Sequence, residues 1–458
     1  MDNSSLPGLF SSQQLFFASG KTRKVSFRKE ALKKLRSAIL MHEEELNEAL
    51  YKDLHKSPFE SYATEIGFVL DELRFHLKKL HQWARPKRVG SSVISFPAKG
   101  YKTYEPLGTV LIIAPWNYPF QLMMAPLIGA VSAGNTVIIK PSEIAENTAL
   151  VIQKMINSSF EKEYIHVVTG GVDVSQELLK LKFNHIFFTG SPRVGKIVMQ
   201  SAAKMMVPVT LELGGKSPCI VDETAPLKLT ARRIVWGKML NAGQTCIAPD
   251  YLYVHKKIKG PLVKAIVTAI KKAFGEEAGK SPDYPRIITR ANMERLITLL
   301  DGANIAYGGN FNKEDKYFEP TILDEVNFDL PVMQQEIFGP ILPVITFSDP
   351  EEVISQVNAR PRPLALYIFS KSHSFQKKII SSIPAGGVTV NDTLMHIASN
   401  KLPFGGVGNS GIGKYHGFFS FETFSNAKPV VYRGTWIDPP IRYAPYGKKL
   451  KIIKYLMR

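Results

Sequence analysis

The sequence predicts an α/β fold with parallel sheets, and two observations carry that prediction. Short apolar runs alternate with helical segments between residues 109 and 213, which is typical of a parallel sheet covered by helices on both faces. A second alternating region follows over residues 212–398. The chain of 458 residues is about three times a typical domain length. We therefore expect two α/β domains in series, with a small excursion near residues 85–105.

The first region begins with helices over residues 26–84, because leucine and isoleucine recur there at helical spacing. The recurring residues are Leu32, Leu35, Ile39, Leu46, Leu50 and Leu54. A second long helix is predicted to begin at the sequence SPFE. Ser57 can cap it, Pro58 suits its first turn and Glu60 completes a capping box. Pro86 ends this helix.

Strands follow this helical region. Residues 91–105 change to short strand-like pieces around a proline and a glycine. The predicted strands of the first sheet are 109–115, 136–141, 164–168, 185–190 and 209–213. The second region is predicted to contain helices near 227–241 and 260–274 and a strand at 388–392.

Composition excludes several classes of protein. With 45% hydrophobic and 21% charged residues the chain is ordinarily globular, and its two cysteines cannot form a disulfide framework. The first twenty residues contain Asp2 and no early positive charge, which argues against a secretory signal. No uncharged apolar run reaches the roughly 18 residues that cross a bilayer. We therefore expect a cytoplasmic protein.

The net charge of +18 raises the question of a nucleic acid or an anionic membrane as partner. The basic residues are scattered from Lys21 to Lys378, and only the tail from Tyr446 onward is a compact basic cluster. This distribution favours a solvated basic surface, so no nucleic acid is expected. A weak membrane contact through the tail is the lesser alternative.

The stretch IFFTGSPRVGK, residues 186–196, is a candidate phosphate site. Gly190 permits a tight turn after a strand, and Ser191 can cap the next helix. Free N–H groups and the helix dipole then favour an anion. Since Gly190 and Gly195 alone do not make the dinucleotide fingerprint, an ordinary strand–helix turn is the alternative.

The stretch VIIKPSE, residues 137–143, places Lys140 at the end of a buried strand and Glu143 just beyond it. Ligands of open parallel sheets bind at the carboxyl ends of strands. A lysine and a carboxylate there can hydrogen-bond ribose hydroxyls, while a plain surface ion pair is the alternative.

Two further stretches carry groups for covalent chemistry. In LELGGKSP, residues 211–218, Glu212 ends a strand in apolar company, where burial raises a carboxyl pKa toward that of a general base. In NAGQTCIAPD, residues 241–250, Cys246 follows a turn of small residues that leaves a nucleophilic thiol open to substrate. Cys219 leads into an apolar run and fits a small buried residue.

Together these stretches resemble one family, the aldehyde dehydrogenases. LELGGKSP is similar to that family's glutamate motif, and the segment around GQTC is similar to its cysteine motif. Further similar segments, in family order, are APWNYP (114–119), KPSE (140–143), GSPRVG (190–195), EIFGP (336–340) and LPFGGVGNSG (402–411). The likeness runs from about Arg28 to about Ser425. It is greatest to the class 3 branch, which includes usually dimeric enzymes for fatty and aromatic aldehydes.

The resemblance implies NAD(P)-dependent oxidation of an aldehyde to a carboxylic acid. Cys246 would attack the carbonyl to form a thiohemiacetal, which loses hydride to the cofactor and becomes a thioester. The side-chain amide of Asn117 and the backbone N–H of Cys246 would stabilise the oxyanion. Glu212 would activate the water that releases the acid, and Glu336 is a second candidate for this base.

The resemblance also implies residues that bind the cofactor, which is NAD with NADP as a usable alternative. These are Lys140, Glu143, Thr189, Gly190, Ser191, Gly195, Leu213, Gly214, Glu336 and Phe338. Candidates for the substrate tunnel are Trp116, Tyr118 and Phe404, for which a plain core position is the alternative. No metal is expected.

The family fold implies a domain division. A Rossmann-like NAD(P)-binding domain would take residues 1–84 and 106–211, and an α/β catalytic domain residues 212–398. Residues 85–105 and 399–458 would form a small β oligomerisation excursion, bridging segments and the tail of a homodimer.

Some features depart from the family pattern or leave other functions open. The tail is basic where fatty-aldehyde members have an apolar anchor, and His416 suggests a structural role. An acyl-CoA-forming or otherwise specialised semialdehyde dehydrogenase is one alternative, which Glu212 argues against. A polyanion-binding protein with a vestigial site is another and rests on charge alone.

Overall fold

The computed structural model describes residues 5–90 and 95–457, which form helices and strands throughout. The strands are β1 (Lys87–Val89), β2 (Ala98–Pro106), β3 (Thr109–Ile113), β4 (Thr136–Lys140), β5 (Ile165–Val167), β6 (His185–Gly190), β7 (Val209–Leu213), β8 (Pro218–Val221), β9 (Tyr251–His255), β10 (Asn304–Tyr307), β11 (Phe311–Asn312), β12 (Tyr317–Phe318), β13 (Thr321–Asp324), β14 (Ile341–Phe347), β15 (Ala365–Phe369), β16 (Gly387–Val390), β17 (Gly411–Ile412) and β18 (Ser425–Arg433).

The helices enclose these strands. They are α1 (Ser5–Ala18), α2 (Val25–Met41), α3 (Glu43–Leu54), α4 (Pro58–Ser61), α5 (Gly67–Trp83), α6 (Gln121–Ala133), α7 (Glu146–Ser159), α8 (Val172–Leu178), α9 (Pro192–Ala203), α10 (Leu227–Met239), α11 (Lys259–Phe274), α12 (Arg290–Thr298), α13 (Pro331–Gln334), α14 (Pro350–Asn358), α15 (His373–Ser382), α16 (Phe418–Thr423) and α17 (Lys449–Leu456). Within the described ranges, none of them is both long and apolar enough to span a bilayer.

Five predicted strands form a parallel sheet in the order β7-β6-β3-β4-β5, with β17 added antiparallel beside β7. From β3 the chain proceeds to β4 and β5 on one side and then to β6 and β7 on the other. The strand order therefore reverses between β3 and β6, which is where open α/β sheets bind ligands.

The apolar runs of this sheet are continuous because both faces are covered. Val110 and Ile112 of β3 belong to the core shared with α2, α5 and α6, while Leu111 between them belongs to the core shared with α1, α8 and α9. Successive side chains of a strand point to opposite faces. The prediction of a doubly covered parallel sheet is confirmed.

A second sheet has seven strands in the order β10-β13-β14-β9-β8-β15-β16, parallel except for β10. The helices predicted near 227–241 and 260–274 correspond to α10 and α11, and the strand predicted at 388–392 corresponds to β16. The division into domains at residue 212 stays a prediction.

The excursion near residues 85–105 forms a small antiparallel sheet in the order β1-β2-β18. β18 pairs with β2 over its full length, from Ser425 opposite Pro106 to Arg433 opposite Ala98. Residues 91–94, within the strand-like region predicted from the sequence, lie outside the described residues, as do residues 1–4 and 458.

The helical region differs from its prediction in two ways. Helix α1 was not predicted. The long helix from residue 58 is divided by a π turn at Tyr62–Ile66. Ser57 caps α4 by accepting a hydrogen bond from the amide of Glu60 at 3.4 Å. The capping box is nevertheless wrong, because the Glu60 carboxylate accepts from the amide of Asn241 at 2.8 Å.

Candidate active site

Most of the predicted cofactor residues lie at or just beyond the carboxyl edge of the six-stranded sheet. Its register places Ile113, which precedes the APWNYP segment, beside Lys140, and Thr189 beside Glu212. Because these parallel strands end at one edge, the loops after β3, β4, β6 and β7 are neighbours. The structure therefore brings together motifs that are far apart in sequence.

Lys140 and Glu143 form an ion pair at this edge. Lys140 is buried, and its Nζ donates to Glu143 Oε2 at 3.1 Å and to the carbonyl of Pro141 at 2.7 Å. The Glu143 side chain is half exposed. The buried amine and the accessible carboxylate at the strand end suit the recognition of sugar hydroxyls.

The turn after β6 has the features of an anion site. Ser191 caps α9 by accepting from the amide of Val194 at 3.4 Å, and Pro192 occupies the first turn. The buried Thr189 Oγ1 has no hydrogen-bond partner among the described residues. A Cβ on Gly195 would lie 2.7 Å from Leu213 Cδ2, so the glycine lets α9 pack close to β7. A free donor and a helix N-terminus favour a phosphate.

Cys246 lies in a tightly folded loop between α10 and β9. Asn241, Ala242 and Gly243 are left-handed in succession, with φ of 52°, 51° and 75°. A Cβ on Gly243 would collide with the carbonyl of Gly339, so glycine permits this close approach. Cys246 itself remains partly exposed.

Gln244 and Thr245 hold this loop from within. The Gln244 amide donates to the carbonyls of Asn241 at 3.0 Å and Arg286 at 2.9 Å, and its Oε1 accepts from the amide of Ile288 at 3.0 Å. Thr245 Oγ1 lies 2.7 Å from the Tyr118 hydroxyl. The residues before the cysteine thus fix the backbone that presents the thiol.

Asn117, which follows β3 of the six-stranded sheet, contacts the same loop. Its Nδ2 donates to the carbonyl of Gln244 at 3.0 Å, and its own carbonyl accepts from Asn241 Nδ2 at 2.8 Å. An amide has two N–H donors. Asn117 therefore keeps a second N–H for another acceptor beside the cysteine loop.

Two buried carboxyl groups lie near enough to Cys246 for their charges to act on its thiol. Burial raises the pKa of Glu212 well above its usual value, with Lys414 opposing the shift in part. Burial, followed by repulsion from Asp250, raises the pKa of Glu336 to about 8. Desolvation, then the charges of Glu336 and Glu212, raises the pKa of the Cys246 thiol.

Most oxygens of these two carboxyl groups are free within the described residues, although the backbone N–H of Gly215 donates to Glu336. Neither oxygen of Glu212, nor Oε1 of Glu336, has a hydrogen-bond partner within residues 5–90 and 95–457. The Glu336 carboxylate lies against Gly214, where any Cβ would collide with it. The site thus has acceptors available for a water molecule or a ligand.

The aromatic candidates divide into two groups. Trp116 and Phe338 are partly buried and meet edge to face, with ring centroids 5.3 Å apart. Tyr118 is buried beneath the cysteine loop. Phe404 is buried and stacks on His396 and His416, so it lies in the core beneath the site.

No cluster suited to a metal occurs in the described part of the chain.

Comparison with known proteins shows which family the chain is similar to. The model of the aldehyde dehydrogenase family matches residues 14–430. The 4,4'-diaponeurosporen-aldehyde dehydrogenase of Staphylococcus aureus is 48% identical over 97% of each chain. The dimeric, NADP-preferring aldehyde dehydrogenase of Canis lupus familiaris is 44% identical over 95% of this chain and 96% of its own.

A solved structure is similar throughout. The substrate-bound state of Staphylococcus aureus AldH superposes with a TM-score of 0.97 at 47% identity, covering 99% of each chain. The chain belongs to the aldehyde dehydrogenase family. The expected likeness to the class 3 branch is confirmed.

As an aldehyde dehydrogenase, the chain is an enzyme of NAD(P)-dependent aldehyde oxidation. Its residues fit the cofactor, since Thr189 Oγ1 and Glu336 Oε1 are buried polar atoms without partners in the described structure. The sequence analysis missed two residues that hold the cysteine loop. One is Gln244. The other is Tyr367, whose hydroxyl donates to the carbonyl of Ile247 at 2.5 Å. The available signal for Gln244 was its position in GQTC, two residues before the predicted nucleophile, whereas nothing local marks Tyr367.

Proposed function

We propose that Cys246 is the nucleophile, Asn117 the oxyanion donor and Glu212 the base of this aldehyde dehydrogenase. The observation that carries this proposal is that the Asn117 amide is fixed on the cysteine loop while two buried carboxyl groups lie near enough for their charges to act on the Cys246 thiol. Nucleophile, donor and base are the three groups that acyl chemistry requires.

In the first half-reaction the Cys246 thiolate attacks the aldehyde carbon, and the carbonyl oxygen becomes an oxyanion. The free N–H of Asn117 Nδ2 and the backbone N–H of Cys246 donate to that oxygen. The carbon then loses its hydride and the oxyanion collapses to a thioester. When bound, the oxidised cofactor would supply the hydride acceptor and a positive charge that lowers the thiol pKa of Cys246.

In the second half-reaction Glu212 removes a proton from water, which attacks the thioester carbon and releases Cys246 and the carboxylic acid. The buried Glu212 carboxylate has no hydrogen-bond partner in the described part of the chain and suits this role, because its surroundings raise its basicity. Glu336 is a second base with a pKa of about 8.

For the cofactor, Lys140 and Glu143 would hold the adenosine ribose, and Thr189, Gly190 and Ser191 the pyrophosphate. Gly195, Leu213 and Gly214 would shape the groove, and Glu336 and Phe338 would contact the nicotinamide ribose. NAD is the preferred cofactor, since Glu143 is an accessible carboxylate that repels a 2′-phosphate.

The substrate is proposed to be an apolar aldehyde. Trp116 and Phe338 pack edge to face beside the site, and Tyr118 lies under the cysteine loop. The buried Phe404 would form part of the floor of the substrate tunnel. The Staphylococcus aureus relative is named for 4,4'-diaponeurosporen-aldehyde, which supports an apolar class.

The enzyme is proposed to be a cytoplasmic homodimer. In the described structure β18 is an edge strand of nine residues with no neighbour on its outer side. An open edge of this length invites pairing with a second chain. Light scattering during gel filtration tests the dimer.

A panel of long aliphatic, aromatic and acidic aldehydes, each assayed with NAD and with NADP, tests the reaction. We expect one reduced cofactor and one carboxylic acid per aldehyde, the highest kcat/KM for apolar aldehydes, and no effect of added coenzyme A. Formation of acyl-CoA instead of acid would contradict the hydrolytic mechanism.

A further inference from the structure

A buried ion pair lies behind Asn117. Lys56 and Glu65 have no exposed side-chain surface, and Lys56 Nζ lies 2.5 Å from Glu65 Oε1. Lys56 is in the short connection between α3 and α4, and Glu65 is in the π turn that divides α4 from α5. π turns are rare and frequently occur at functional sites.

Both partners of this pair bind the backbone around Asn117. Lys56 Nζ donates to the Asn117 carbonyl at 3.1 Å and lies 3.9 Å from the centre of the Tyr118 ring. Glu65 Oε2 accepts from the amides of Phe120 and Gln121 at 2.9 and 3.0 Å. The pair therefore holds residues 117–121 at both ends.

The same carbonyl is bound from the cysteine loop. Asn117 O also accepts from Asn241 Nδ2 at 2.8 Å, and the backbone amide of Asn241 donates to Glu60 Oε1 at 2.8 Å. One chain of hydrogen bonds thus runs from the pair through Asn117 to the loop that carries Cys246.

Stability alone explains this arrangement poorly. Burying two charges costs desolvation free energy that their attraction often fails to recover, and apolar residues of similar volume frequently do as well. A buried polar network whose groups are hydrogen-bonded also rigidifies the backbone around it and specifies one local geometry. In this case the geometry is that of the Asn117 backbone.

We propose that Lys56 and Glu65 are positioning residues of aldehyde oxidation, which hold the Asn117 backbone so that its side-chain amide meets the oxyanion. Because neither side chain has exposed surface, the pair itself is out of reach of substrate and cofactor. The inference rests on the proposed role of Asn117.

The test is a double-mutant cycle between the pair and Asn117. Lys56→Met with Glu65→Gln removes both charges of the pair together, and the glutamine can still accept a backbone amide. We expect kcat to fall at least tenfold, since a misplacement of about 1 Å costs up to a hundredfold. KM for NAD and the rate of Cys246 alkylation by iodoacetamide should change less than about twofold, because neither requires the oxyanion donor.

The decisive measurement repeats the substitution in an Asn117→Ala background. If the pair acts through Asn117, kcat should there fall less than about twofold further. An equal fall in both backgrounds would overturn the inference. Normal turnover of Asn117→Ala alone would instead refute the proposed oxyanion role, so the two failures are distinguishable.

Two further variants guard against a general loss of structure. Glu72→Gln alters another buried carboxylate, which pairs with His76 at 3.1 Å on α5, and should give the same change of kcat with and without Asn117. If the pair variant does not fold, Glu65→Gln alone weakens the ion pair and keeps a side-chain oxygen that can accept from the amides of Phe120 and Gln121. It should show the same coupling to Asn117, and additive effects would contradict the inference.

Discussion

The two cysteines of this chain lie in contrasting surroundings. Cys219 is inside β8, fully buried, with Leu252 and Tyr367 on the neighbouring strands. Cys246 is in a loop of left-handed residues fixed by buried hydrogen bonds, and the charges of Glu212 and Glu336 act on its thiol. Burial raises the pKa of both thiols. Acidity therefore does not distinguish the nucleophile, whereas access, a nearby amide donor and a nearby base do.

Replacing each cysteine with serine tests this contrast with the largest expected effect. Cys246→Ser should lower kcat by about a thousandfold or more, because a hydroxyl is a far poorer nucleophile than a thiolate. Cys219→Ser should retain turnover and lose about 1–3 kcal/mol of stability, since it buries a hydroxyl in an apolar strand. Steady-state kinetics and urea unfolding measure both, and the reverse pattern would make Cys219 the nucleophile.

Removing the Asn117 amide, which is fixed on the cysteine loop, tests whether it is the oxyanion donor. Asn117→Ala should lower kcat by about a hundredfold to a thousandfold, the usual cost of one oxyanion donor. The affinity for NAD, measured by fluorescence titration, should hardly move, since the amide faces the substrate oxygen. Normal turnover with weakened NAD binding would assign Asn117 to the cofactor instead.

Replacing the buried carboxyl group separates the two half-reactions. Thiohemiacetal formation and hydride transfer need no water, so Glu212→Gln should retain a burst of NADH while steady turnover falls about a hundredfold. Rapid-mixing absorbance measures both phases. Loss of the burst would show that Glu212 also activates Cys246.

The pH dependence of kcat distinguishes the two carboxyl groups. Burial raises the pKa of Glu212 and brings that of Glu336 to about 8. A base acts only when it has lost its proton, so kcat should rise with pH through the raised pKa of the group responsible. In Glu212→Gln that rise should disappear, and in Glu336→Gln it should persist. The opposite result would make Glu336 the principal base.

Local patterns predicted much of this site, and long-range contacts explain what they missed. The strands were found because a doubly covered parallel sheet requires continuous apolar runs, as in β3. Helix α1 was missed because its buried Gln13, which donates to the carbonyls of Val137 and Lys162, gives no apolar periodicity. The bond from Lys56 to Asn117 spans 61 residues, and only the folded chain reveals it.

The smallest expected effect lies at the far end of the proposed cofactor groove, away from both cysteines. The half-exposed carboxylate of Glu143 would accept a hydrogen bond from the ribose of NAD and repel the phosphate of NADP, with Lys140 offsetting part of that repulsion. Glu143→Gln should narrow the gap in kcat/KM between the cofactors by about twofold to fivefold, since exposed charge interactions are weak.

Glu146→Gln makes the same charge change three residues further on, at the exposed start of α7, and should leave the gap unchanged. In the absence of cofactor neither variant should alter the alkylation rate of Cys246, because the contrast between the thiols depends on groups around the cysteine loop. A clear NADP preference in the unmutated enzyme, as the name of the canine relative states for that protein, would mean that Glu143 points away from the ribose.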